Sequence, residues 1–296
     1  MCKLKFKTML IVIIISVLMI SLGTYISIAH DPRWVLVMVS AAIAYGLLSP
    51  VIAARRLYFL ASASPHSALL AAVIAIPIAR TIGFGNEYLW AVFIGALLIY
   101  IVGYMIHRGI DTDIATALFV AFTASSSVLA IYYILTRFPV KTNIWAIIVG
   151  DPLLVDWNDT YYAIIIAIVI SASIILTYRE QICMGIDYEC SRLAGIRRQL
   201  YDWLVFTLLA IATVALIRIV GFVLEHVLIL LPSAIAITIA RNAFKAIVTS
   251  LLTSLFSSIM GLYLAITLDL SPAGVTGLVL LSIYVFGILI KKRWYK

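Results

Sequence analysis

The stretch ASASPHSALLAA, residues 61–72, places an imidazole, three hydroxyls and a proline inside one of the most apolar regions of the chain. Ser62 and His66 are four residues apart and Ser62 and Pro65 three apart, so they share one helical face, and Pro65 deprives a turn of its backbone hydrogen bond. A second such place is GFVLEHVLILLPSA, residues 221–234, where Glu225 and His226 stand side by side ahead of Pro232. Imidazole and carboxylate are ligand types expected for zinc, manganese or iron. Adjacent helical residues point about 100° apart, so Glu225 and His226 serve one site only if the helix is broken or the site lies between helices. Two structural readings stand beside the metal one. The serines and His66 suit a kinked helix bonded to a neighbour, and Glu225 suits an ion pair with Arg218. His30 and His107 fall at loop edges and read as surface residues.

The elements that must position these groups are membrane helices. With 65% hydrophobic and 11% charged residues and a mean hydropathy of +1.16, the chain has too little polar surface to clothe a soluble globule. A helix needs about 20 mostly apolar residues to cross the hydrocarbon core, and such windows recur along the whole sequence. The spans are read at 9–29, 34–54, 57–80, 88–106, 114–136, 160–178, 201–219, 222–240, 246–268 and 274–290, with 143–155 too short to cross and placed at the outer interface. The first window is read as a span because it lacks a small-x-small cleavage site. The fold class is therefore an all-α integral membrane protein, a polytopic bundle of about 8–10 transmembrane helices forming one domain, residues 1–296. The segment 200–240 suits either two spans or a pair of broken, partly re-entrant helices.

Positive charge is retained on the cytoplasmic side of short loops. Placing both termini there puts all but five of the 21 Lys and Arg residues inside, the exceptions being Arg33, Arg80, Arg137, Lys141 and Arg218. The net charge of +8 flanks the spans and does not cluster on a soluble face, which excludes a nucleic-acid partner. The outer side carries Asp31, Glu87, Asp151, Asp156, Asp159 and Asp269, a balance that suits a cationic substrate or a basic docking partner. Cys2, Cys183 and Cys190 fall inside, where thiols stay reduced. On this topology His66 lies about 14 Å from the cytoplasmic end, near the middle of a ~30 Å core, where an ionisable residue marks a permeation path.

These residues resemble a family. RRLYFLASASPHSALLAA is similar to the stretch in permeases of the zinc and manganese ABC importers, the ABC-3 family, in which a basic pair precedes a Leu-Gly-Asp-Ala-x-Ser-His-Ala pattern. His66 falls on the family histidine and Ser62 on its aspartate. DTDIATALFVA at 111–121, GDPLLVDWNDTYYAI at 150–164, VGFVLEHVLILLPSAIA at 220–236 and LYLAITLDLSPAGVTGLVL at 262–280 resemble further family segments in the same order. GIDYECSRLAGIRRQ, 185–199, resembles the cytoplasmic coupling segment, with Asp187 as N-cap, Glu189 in the first turn and Gly195 ending the helix.

The resemblance implies a type II ABC importer-like permease, a homodimer in the lipid membrane that works with an ABC ATPase subunit and an extracytoplasmic metal-binding protein. Its cargo would be a divalent transition metal of the zinc or manganese class, with no cofactor permanently bound. Ser62 removes the family carboxylate, and Glu225 or His226 is expected to restore ligands from a facing helix, giving a transient path of His66, Ser62, Glu225 and His226. No GxxxxGK[ST] phosphate loop occurs, so ATP hydrolysis is expected on a separate chain and the protein is not itself an enzyme. An iron-chelate, haem or cobalamin permease is the alternative within the class, and an ion-coupled secondary transporter the alternative outside it.

Overall fold

The computed structural model describes residues 2–137 and 151–294, with the side chains of all of these except 2–12, 188, 190 and 290–294. The expected interfacial segment therefore lies outside the described residues as far as residue 150. Ten α-helices follow one another: α1 (Cys2–Ala29), α2 (Pro32–Ala54), α3 (Tyr58–Ile82), α4 (Glu87–His107), α5 (Thr112–Arg137), α6 (Trp157–Ile186), α7 (Tyr188–Leu193), α8 (Arg198–Ile239), α9 (Ala243–Leu268) and α10 (Pro272–Trp294), with a 3-10 turn at Pro152–Leu154. No strand occurs among the described residues. Eight of these helices are long and apolar enough to cross a membrane, with α8 counted once. This is a multi-pass membrane protein.

Helix starts are written in short polar residues, because the first amides of a helix have no internal acceptor. Asn86 accepts from Leu89 N at 2.9 Å ahead of α4 and Asn242 from Lys245 N at 2.9 Å ahead of α9. At α6 the Asp156 carboxylate takes the Asp159 amide at 2.7 Å while Asp159 returns a bond to the Asp156 amide. Gly83, at φ +68°, ends α3 in the left-handed region. The sixth helix runs eight residues past the span expected to end at 178, because helical hydrogen bonding continues beyond the hydrocarbon until Asp187 turns extended.

α2, α3 and α8 form the buried centre, and α4, α5, α6 and α10 present one face outward. Close approach depends on glycine at the centre. A Cβ on Gly95 or Gly103 of α4 would collide with Val214 or Phe206 of α8, and one on Gly185 with the Ala54 carbonyl.

The 42-residue α8 is too long for one crossing, at about 63 Å. Its contacts show that it reverses. Asp202 pairs with Arg55 and Arg198 at one end of the bundle, and Arg218 reaches Glu87, at the start of α4, at the far end. Ser233 then bonds Tyr58 at 2.9 Å and Ser49 at 3.1 Å, back near the Arg55 level. The turn is Gly221, whose φ of 81° and ψ of 163° interrupt the helix. The segments 198–220 and 222–239 are thus antiparallel arms, which settles the open choice for 200–240 in favour of two spans. Following α9 up and α10 down from there brings the end of the described chain back to the end that carries α7, with Gly287 against Ile239.

This backbone region is essentially restricted to glycine and costs other residues about 1–3 kcal/mol. Gly221→Ala is expected to lower the melting temperature of the detergent-solubilised protein by several degrees. A wild-type melt would place the reversal elsewhere.

Candidate functional site

Pro65 leaves the Ala61 carbonyl without its amide donor, four residues earlier. The buried Ser64 hydroxyl donates to that carbonyl at 2.8 Å. Ser67 back-bonds the Ser64 carbonyl at 2.7 Å and Ser62 the Phe59 carbonyl at 2.7 Å. Two of the three serines are therefore fully buried and hold the helix together. Ser62, on the helical face it shares with His66, is only partly buried.

On that same face His66 meets the second arm of α8. Its ring stands edge-on to His226 with centroids 5.8 Å apart, and to Phe222 at 5.0 Å. Phe222 and His226 are 4.5 Å apart, so the three rings form one group. His226 Nδ1 faces the Phe222 carbonyl at 3.1 Å. The Ser62 carbonyl also lies against this imidazole. A carbonyl only accepts, so a neutral ring satisfies one of the two and leaves its other nitrogen with a lone pair. Both histidines are half-buried. A cavity of about 550 Å3, lined by Ser62, Tyr58, Phe59 and Tyr284 among others, continues from Ser62 along this face.

The structure thus brings together Ser62, His66 and His226. It does not bring Glu225 with them. One position along the helix, Glu225 turns inward, fully buried on the side where Tyr45 of α2 lies, and neither carboxyl oxygen has a hydrogen-bond partner. Nor does it pair with Arg218, whose guanidinium lies 3.4 Å from Glu87 and stacks 4.3 Å above the Tyr88 ring. Among the described residues no group of three His, Cys, Asp or Glu could hold a metal ion. The pair of imidazoles is a two-ligand arrangement, which suits passage better than residence.

Asp187, Glu189 and Gly195 take the capping geometry expected of them. The Asp187 carboxylate accepts from Glu189 N at 2.9 Å at the start of α7, and Gly195 has φ +73° two residues after its end. Ile186 and Leu193 are exposed on either side of this short helix. His30 and His107 are exposed, as expected, His30 stacking on Trp34.

One charged cluster was not singled out in the sequence. Arg55, the first residue after α2, is held between Asp202 and Gln181, with Gln181 at 2.8 Å. Burial and the neighbouring Arg198 push the Arg55 guanidinium down to about 10, so it stays charged at neutral pH. The basic pair in RRLYFL was the available signal, but a loop arginine usually marks topology alone.

The sequence matches the ABC 3 transport family over residues 32–291. It is 28% identical over 233 residues to a probable metal transport system membrane protein of Thermotoga maritima, covering 78% of this chain and 79% of the relative. It is 26% identical over 237 residues to the manganese transport system membrane protein MntC of Halalkalibacterium halodurans, covering 78% of each. Among solved structures, PsaBC from Streptococcus pneumoniae in complex with Fab superposes with a TM-score of 0.78 at 18% identity, over 93% of this chain and 97% of that one. An inward-facing conformation of a putative metal-chelate type ABC transporter superposes at 0.69 and 14% identity, over 98% and 99%.

Removing the Asp202 carboxylate leaves Arg55 buried without its counter-charge, which costs about 3 kcal/mol. Asp202→Asn is therefore expected to melt well below wild type, while Arg198→Gln, at the half-exposed end of the network, costs under about 1 kcal/mol. Equal melts for the two variants would remove the Arg55 pair from the stability of this end. With the expected segments in order along the chain and the match spanning nearly all of it, the chain belongs to the ABC 3 transport family.

Proposed function

We propose that this chain is the membrane-spanning permease of an ATP-driven importer of a divalent metal ion of the manganese or zinc class. The observation that carries the reading is the His66–His226 pair, two imidazoles with ring centroids 5.8 Å apart between α3 and α8. A dehydrated cation entering an apolar core gains from such donors, and two ligands hold it weakly enough to release it. The named functions of the relatives in Thermotoga maritima and Halalkalibacterium halodurans agree with this cargo. A cation at His226 would take up the nitrogen lone pair that the neutral ring leaves open.

In this reading the α7 end is cytoplasmic, and α7 with Asp187, Glu189 and Gly195 docks on a separate ATPase. The acidic far end, with Asp31, Asp156 and Asp159, receives an extracytoplasmic binding protein. The half-exposed face of Ser62, His66 and Val223 supports a homodimer, because a second copy laid on it would enclose the path. Glu225 is kept as a candidate ligand for another step of the cycle, since it reaches the path only if the second arm of α8 rotates by about 100°.

The test is ATP-dependent metal uptake into vesicles carrying the permease, its ATPase and its binding protein. Wild type should accumulate manganese or zinc. His66→Ala and His226→Ala should each cut uptake by more than tenfold with unchanged melting temperature, and the double variant should be no worse than the poorer single, because the pair acts as a unit. Wild-type uptake by both singles would dismiss the path. Uptake of a ferric chelate in place of the free ion would favour the alternative cargo, for which the aromatic lining of Tyr58, Phe59 and Tyr284 is the motive.

A second expectation concerns α7. Gly195→Val forces a β-branched residue into the left-handed region. ATPase association should fall in this variant while the permease alone remains folded. Undiminished association would move the docking site off α7.

A further inference from the structure

At the α7 end of the bundle, the ends of α2, α4 and α6 and the start of α8 enclose a partly open cavity of about 720 Å3. Four basic side chains line it: Arg55, Arg56, His107 and Arg198. The single acidic residue on its wall is Asp202, which Arg55 and Arg198 share. Arg56, in the turn that follows α2, and His107, the last residue of α4, are exposed. Among the lining residues, basic side chains therefore outnumber acidic ones. Burial and the proximity of Arg198 lower the Arg55 guanidinium from its usual value, a second sign of a crowded positive field.

The same lining includes the apolar side chains of Leu57, Ile106, Trp203 and Phe206. Basic and apolar side chains share one cavity where the spanning helices end, which is the depth of the lipid phosphates. We infer that this cavity binds the phosphate of an anionic phospholipid, such as phosphatidylglycerol, with the glycerol and upper acyl chain against its apolar wall. Basic pockets between membrane helices at the cytoplasmic face take such headgroups. The cavity is far larger than a phosphate ion, and its mixed lining fits an amphiphile better than an acidic side chain, which brings no apolar tail.

The position gives the site a consequence. Arg55 and Arg56 form the turn that leads into α3 and His66, Gly185 closes the end of α6 just before α7, and Arg198 begins α8. A bound headgroup joins the base of the path-bearing helix to both flanks of α7. The inference rests on the proposed orientation only for the leaflet that supplies the lipid, and its test does not depend on transport.

Native mass spectrometry of the full-length permease, released from detergent after incubation with phosphatidylglycerol or phosphatidylcholine, reads binding directly. Each Lys or Arg near a membrane surface contributes about 1 kcal/mol to anionic lipid attraction, or roughly fivefold in binding. Wild type should retain phosphatidylglycerol in preference to phosphatidylcholine. Arg56→Gln should lower that retention by about fivefold, Arg56→Gln with His107→Gln should not recover it, and Arg56→Lys should keep it. Thermal shift on the same samples should show stabilisation by phosphatidylglycerol that is weakened in Arg56→Gln, whose lipid-free melt serves as the folding control. Equal retention of the two lipids by wild type, or undiminished retention by Arg56→Gln, overturns the proposal. Full stabilisation by millimolar inorganic phosphate alone assigns the cavity to a free anion, and loss of ATPase association in Arg56→Gln with no lipid preference assigns it to an acidic protein partner. Both results overturn the lipid site.

Discussion

A carbonyl released by proline inside a bilayer has no water to turn to, and much of this structure follows from that. Within the hydrocarbon an unsatisfied backbone group costs several kcal/mol, so each proline in a spanning helix needs a local replacement donor or a neighbour. At Pro65 the donor is one residue away, in the Ser64 hydroxyl. Beside Pro232 the rearrangement is between helices, where the Ser233 amide bonds the Ser49 hydroxyl on α2 and the Ser233 hydroxyl meets Tyr58 on α3. The polar residues that stand out in the sequence thus divide by task. Some repair the backbone and tie α2, α3 and α8 into one centre, and others, His66, Ser62 and His226, remain on the face left over.

That division explains what could be read beforehand. The all-helical class, the order of the helices and the approximate bounds of most of them follow from apolar run lengths and from charge at the loops, because the bilayer imposes one thickness on every spanning helix. The approach of His66 to His226 was legible as two ionisable groups that needed company. Glu225 was not legible, since its direction is fixed by the phase of a helix that begins anew at Gly221, and one residue of phase separates the side facing His66 from the buried core. The length of α6 escaped for a different reason. Hydropathy marks where lipid ends, while the helix ends only where Asp187 gives its amides and carbonyls another arrangement.

The pairing of Arg55 with Asp202 and Gln181 was hidden because it joins residues 126 and 147 positions away. Local pattern cannot announce such contacts. They nonetheless fix the base of α3 against α6 and α8, so the helix carrying His66 starts from a charged anchor near the membrane surface while its middle is held by small side chains and hydroxyls. The anchor is polar and the middle is apolar, and because Arg55 and Asp202 are largely buried, salt screens their pairing much less than that of exposed charges.

Asp187 does double duty, ending α6 with an extended backbone at φ −144° and ψ 113° and capping the first turn of α7. No linker separates the two helices. The short helix therefore inherits its direction from the long one in the manner of a crank fixed to a shaft, and its azimuth is set by residue count. One residue added before Asp187 would turn α7 by about 100° and advance it by about 1.5 Å, whereas the loop after Gly195 tolerates such a change without turning anything upstream. Chain length is conserved by mechanics on one side of this helix and free on the other.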